Sequence, residues 1–168
     1  AGGVWGWLIV ITGLDRIGVP TVVGCRPNAP TLAVSGGKGF TVLAATVSAG
    51  MEAVEIWHAE NPTVESVVAP HATLARDGLT MPEHHLPLMR NPLFDPNRPE
   101  RWVWGWDLVT QRQVAVPYAS VSMGDTDQAQ TRRWTPFAAG SNGLAGGNHL
   151  LEATAAALLS YRRHPELF

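Results

Sequence analysis

Hydrophobic and polar positions alternate along this chain in two rhythms. Residues 4–12, "VWGWLIVIT", and 19–25, "VPTVVGC", are short, β-branched and apolar, and predict two strands joined by the turn "GLDRIG". A short strand is expected at "TLAV" (31–34), followed by a glycine-rich turn, "SGGKGF" (35–40). From Thr41 to about Glu60 nothing breaks the chain. Val47, Met51 and Val54 recur there at helical spacing, which predicts a helix with that stripe at the core. Pro62 stops it.

Residues 61–101 hold Pro62, Pro70, Pro82, Pro87, Pro92, Pro96 and Pro99, and read as a surface excursion with one short helix. "WVWGWDLVT" (102–110) and "QVAVPYASVSM" (113–123) predict two strands joined around "TQRQ". Trp102, Trp104 and Trp106 alternate, so their indoles share one strand face, where core packing is expected. Residues 124–136 are polar loop, and a final helix is expected from about His149 to Arg163. No internal repeat is present. The order of elements implies an α+β (mixed) fold, a β-sheet packed with helices, in a single domain over 1–168.

Composition narrows the function classes. The chain is 45% hydrophobic and 15% charged, which excludes disorder as its general state. A net charge of −2 without any Lys/Arg run argues against nucleic acid as a partner. The greasiest run, "VWGWLIVITGL" (4–14), is shorter than the roughly 20 residues of a membrane helix and lacks a basic flank, so neither membrane nor signal peptide is expected. Cys25, the lone cysteine, rules out an internal disulfide and a cysteine zinc site, and makes a cytoplasmic setting the default. It sits in an apolar run and reads as a small buried hydrophobe. The histidines do not cluster: His84 and His85 are expected in solvent, and His58 on a helix face.

Three places carry candidate chemistry. Ser48, Glu52 and Glu55 stand at i, i+4 and i+7 of the first helix, in one narrow stripe. Such carboxylates repel unless a cation joins them, and magnesium takes one or two while leaving room for phosphate oxygens. From spacing alone, a solvated acidic face is the simpler explanation of the stripe. Lys38, among Gly36, Gly37 and Gly39, could offer charge and backbone N–H groups to an anion, although the P-loop spacing is missing and a plain tight turn also accounts for it. Asn148 is placed as an N-cap with Glu152 four residues on, which reads either as capping or as two oxygen ligands. Together, two helices each follow a glycine-rich turn and each present carboxylates in their first turns. If they met, they would build a metal–nucleotide site.

The blocks "TGLDRIGVP" (12–20), "GGKGFTVLAATVSAGMEAVEIWHAE" (36–60), "WDLVTQRQVAVP" (106–117) and "SNGLAGGNHLLEATAAALL" (141–159) resemble the YcaO family, ATP-dependent enzymes that activate backbone amides. The resemblance implies ATP and Mg as cofactors, with Glu52, Glu55 and Glu152 at the metal and Ser48 and Asn148 at the nucleotide; Lys38, from its glycine-flanked position, is a further candidate for the phosphates. It implies azoline, amidine or thioamide formation in a peptide or protein substrate, with a substrate-delivery protein and a homodimer among the assemblies it allows. The family's second helix continues with a further glutamate and ends in E-R-D, where this chain has Ser160, Arg163, His164 and Pro165. Family members also run on through a second half. The resemblance therefore implies either part of a YcaO fold or a degenerate, non-catalytic binding or scaffold member.

Overall fold

The computed structural model describes residues 6–89, 94–124 and 135–163. The fold is mixed α+β, with two three-stranded antiparallel sheets and accompanying helices. The chain divides into two compact units: Ala1–Asn61 with Ser141–Pro165, and Pro62–Gly140.

In the first unit, β1 (Trp7–Val10), β2 (Thr21–Cys25) and β3 (Val34–Lys38) lie in that order. The β1–β2 turn is tightened by Asp15, whose Oδ1 accepts the N–H groups of Ile17 and Gly18 at 3.0 and 3.2 Å. β3 lies further along the chain than expected: Gly36, Gly37 and Lys38 belong to the strand, paired with Val23, Val22 and Thr21, and not to a turn. The reason is packing. A Cβ on Gly37 would sit 2.0 Å from the Ala45 carbonyl oxygen and 2.2 Å from the Ala49 nitrogen, so glycine lets helix and strand backbones touch.

That helix, α1 (Val42–Glu60), starts at Thr41, whose Oγ1 accepts the Ala44 N–H at 3.1 Å. Its buried face is Ala45, Ala49, Ala53, Ile56 and Ala59. The expected core stripe is thus displaced: Val47 and Met51 are 57% and 43% exposed. Where the strand backbone comes this close, at Ala45 and Ala49, only a small side chain fits on the inner face. At the far end, Arg26 and Glu60 form a buried two-pronged ion pair, Nη1–Oε2 at 2.8 Å and Nη2–Oε1 at 3.1 Å. Burial pushes the Glu60 carboxyl up, but hydrogen bonds from Arg26 and Thr31 and the Arg26 charge outweigh it and hold the group below the ordinary range. Cys25 is a free, half-buried thiol.

In the second unit, β4 (Ser66–Pro70), β5 (Pro99–Asp107) and β6 (Arg112–Pro117) lie in that order, with helices α2 (His71–Arg76) and α3 (Tyr118–Val121). The proline-rich stretch thus contributes a strand, α2 and a turn of 3-10 helix at Glu83–His85. Two of its prolines, Pro70 and Pro99, face each other at the end of the β4–β5 ladder, where the missing N–H costs little. Leu74, Leu86, Trp102, Ala115, Ala119 and Phe137 form the core. Trp102 is fully buried and donates Nε1–H to the Ala69 carbonyl at 2.8 Å, whereas Trp104 and Trp106 are 38% and 58% exposed. The shared face is therefore covered only at its Trp102 end. β5 ends earlier than expected because Asp107 caps the turn, accepting from the N–H groups of Val109 and Thr110 at 2.8 and 3.1 Å. The second hairpin strand also stops early, at Pro117, where α3 begins. His84 and His85 are exposed, as is His58. Among the described residues no helix is long and apolar enough to cross a membrane.

Candidate functional site

All the candidate site residues fall in the first unit. On α1, Ser48 is exposed and Glu52 and Glu55 are half-buried at the border of the alanine face. They are not in the first turn, which holds no acidic residue, because the helix begins well upstream at the Thr41 cap. Only Glu152, of the expected carboxylates, stands in a first turn, that of α4 (Leu150–Arg163).

Each of the three carboxylates accepts a main-chain N–H. Glu52 Oε2 takes the N–H of Gly36 at 2.9 Å. Gly36 lies on β3, the end strand of its sheet, whose outward N–H groups have no neighbouring strand among the described residues. Glu55 Oε1 takes the N–H of Gly146 at 2.6 Å, a contact between residues 91 apart in sequence. A Cβ on Gly146 would lie 2.8 Å from that oxygen, so any other residue there would make the carboxylate shift. Glu152 Oε2 takes the N–H of Asn148 at 2.9 Å and the Asn148 side-chain amide at 3.1 Å. The Glu55–Gly146 bond thereby joins the acidic face of α1 to the turn that leads into α4.

The capping of α4 differs by one residue from the expectation. His149 Nδ1 accepts the Glu152 N–H at 3.3 Å, so His149 occupies the cap position and Asn148 precedes it. Asn148 instead spends its amide on the Glu152 carboxylate. Lys38 closes β3, exposed, with no carboxylate at ion-pair distance among the described residues. It is not cradled in a glycine turn, since its glycine neighbours are strand and helix-packing residues.

The sequence reading passed over Asn142. Both polar atoms of its side chain are buried without a hydrogen-bond partner among the described residues. A buried amide left so costs about 1–3 kcal/mol, which a ligand or an ordered water would relieve. Its signal in the sequence is the first of the two asparagines of "SNGLAGGN", where the spacing to Glu152 singles out only Asn148.

The donor chemistry of α1 suits a hard cation. Among the described residues, Oε1 of Glu52 and Oε2 of Glu55 carry no hydrogen bond, so each glutamate keeps one free oxygen while the other is tied down. Outer hydrogen bonds of this kind orient metal-binding side chains. Among the described residues, however, no group of three or more His, Cys, Asp or Glu side chains is gathered to hold a metal ion. Glu152 is occupied by Asn148. Arg163 ends α4, and His164 and Pro165 lie outside the described residues.

The family model for the YcaO cyclodehydratase, ATP- and Mg2+-binding, matches residues 36–161. An uncharacterized protein of Mycobacterium tuberculosis is 38% identical over 150 residues, covering 88% of this chain and 33% of the relative. Another, in the tfuA 3′ region of Rhizobium leguminosarum bv. trifolii, is 32% identical over 144 residues, covering 86% and 33%. The chain therefore spans about a third of the length of these relatives. Among solved structures, YcaO from Methanopyrus kandleri bound with AMPPCP and Mg2+ aligns with a TM-score of 0.62 at 28% identity, over 92% of this chain and 36% of that one. A heterocyclase in complex with substrate and cofactor aligns with a TM-score of 0.70 at 25% identity, over 92% and 24%. Both the matched segment and the fold lead to one statement: the chain belongs to the YcaO family.

Proposed function

We propose that this chain carries the nucleotide- and magnesium-binding part of a YcaO enzyme that activates backbone amides of a peptide or protein, giving an azoline, amidine or thioamide. Glu52 and Glu55 would hold the metal through their free oxygens. Glu152 would join them by exchanging its bond to Asn148 for the ion. Ser48, Asn148 and Lys38 would contact the nucleotide, and Asn142, in the loop that also holds Asn148, offers a further unpaired amide. The observation that carries the reading is the Glu55–Gly146 bond, which fastens the acidic helix face to the loop before α4.

In this chemistry a nucleophile adds to the amide carbonyl and its oxygen takes the γ-phosphoryl group, so that the C–O bond breaks with phosphate departing and the ring or thioamide forms. Magnesium, when bound, offsets charge on the phosphates. The protein's part is to hold carboxylates oriented toward the cation and to keep the triphosphate in line. The nucleophile belongs to the substrate (Cys, Ser or Thr) or to an external donor. The relatives' greater length makes substrate delivery and any homodimer properties of a larger assembly.

A second reading is favoured by one observation: α4 carries Glu152 as its only carboxylate, with Ser160 and Arg163 at positions where the family has acids. It is a non-catalytic YcaO-like binding or scaffold protein. Calorimetric titration with Mg·ATP tests the site. Micromolar-to-millimolar binding by the wild type, lost in Glu52→Ala with the fold retained, supports the nucleotide site; silence at millimolar Mg·ATP favours the scaffold. Phosphate release with a supplied peptide then separates an active enzyme from a binding module.

A further inference from the structure

The donors that aim the two α1 carboxylates belong to the main chain, and their glycines play opposite parts. We infer that the backbone N–H groups of Gly36 and Gly146 are the positioning groups of the metal site proposed above, on which this inference rests. Each fixes one oxygen of a glutamate, at 2.9 Å for Gly36–Glu52 and 2.6 Å for Gly146–Glu55, and so turns the other oxygen toward a divalent cation. Neither Glu52 nor Glu55 has another hydrogen-bond partner among the described residues, so no other hydrogen bond there orients these long side chains.

At position 36 only the N–H matters. A Cβ there would meet nothing within 4 Å, and the residue is not among those with positive φ, so a side chain is accepted. An end-strand position whose N–H points away from its neighbour also tolerates proline, which deletes the donor and leaves the ladder. At position 146 the missing side chain matters as well. A Cβ would stand 2.8 Å from Glu55 Oε1, so the carboxylate must shift from its present position. The three substitutions therefore divide the role. Gly36→Pro removes a donor, Gly36→Ala keeps it, and Gly146→Ala keeps the donor but displaces its acceptor.

The experiment is an electron paramagnetic resonance titration of the full chain with Mn2+, with and without AMPPCP, beside far-ultraviolet circular dichroism of each variant. Folded Gly36→Pro and Gly146→Ala should bind Mn2+ about 10–100-fold more weakly than the wild type, while Gly36→Ala matches it. The inference is overturned if folded Gly36→Pro binds as the wild type does, or if Gly36→Ala loses as much as Gly36→Pro. Should Gly36→Pro not fold, Gly146→Ala decides, with wild-type affinity overturning the inference. A wild type that binds no Mn2+ even with AMPPCP would sink the metal site itself, an outcome distinct from equal binding by wild type and variant.

Discussion

The two units solve the same packing problem with different side chains. The second fills its centre with bulk: Trp102 and Phe137 meet edge-on with ring centroids 5.6 Å apart, and Leu74 and Leu86 close around them. The first buries Val22, Ala45 and Ala49, and brings helix and strand together through glycine. Hydrophobic stabilisation scales with apolar area removed from water, so alanine contributes far less per residue than tryptophan or phenylalanine. What the alanine interface provides is closeness of backbones and, with the Arg26–Glu60 pair at one end, a defined seat for α1. That matters because α1 carries Glu52 and Glu55, and a small shift of the helix would move both away from their N–H donors. The bulky unit holds its shape by burial; the unit with the candidate site holds it by fit.

The sharpest way to break this contrast is Trp102→Ala. It removes a fully buried indole and leaves the Ala69 carbonyl without its donor, so a loss of about 3–5 kcal/mol is expected in urea denaturation. A loss under about 1 kcal/mol would mean the aromatic core is not what holds the second unit. Next comes Glu60→Gln, which strands the buried Arg26 charge. Removing one partner of a buried pair costs about 3–5 kcal/mol, and retained amide hydrogen bonding should place this variant at the lower end. The pair also sets a pH dependence. Glu60 binds its proton less readily folded than unfolded, so the stabilisation is complete above the ordinary value of 4.5 and drains away as pH falls through the lower folded value. Stability curves against pH should show that acid-side slope in the wild type, reduced in Glu60→Gln. The smallest effect is expected from Gly37→Ala, which drives a methyl into the Ala45 and Ala49 backbone and should cost about 1–3 kcal/mol as α1 is displaced. Denaturation measures it, and a neutral result would show that helix and strand have slack.

The sequence made α1 and its acidic stripe plain, since Glu52 and Glu55 follow from helical spacing alone. It pointed the helix the wrong way in detail, because Val47 and Met51 outweigh alanine on any hydrophobic scale. Alanine wins only where glycine lies opposite, which is a pairing between distant residues and leaves no local trace. The same ambiguity hid β3: a run of glycines signals a turn and close helix–strand packing equally well. β4 was concealed because its partner, β5, lies some thirty residues on, while the prolines around it are a strong local signal for loop. The Trp alternation gave the shared strand face correctly, but how far a face is covered depends on what folds over it. The main-chain partners of Glu52 and Glu55 were unreadable for the simplest reason: backbone groups are the same in all sequences.

That sameness has an evolutionary corollary at position 36. The donor to Glu52 belongs to the polypeptide and not to the encoded side chain, and a side chain added there enters open space. No single base change in a glycine codon produces proline, the one residue that would erase the donor. Point mutation at this codon can therefore redecorate the protein beside its acidic helix without silencing the amide that steers it.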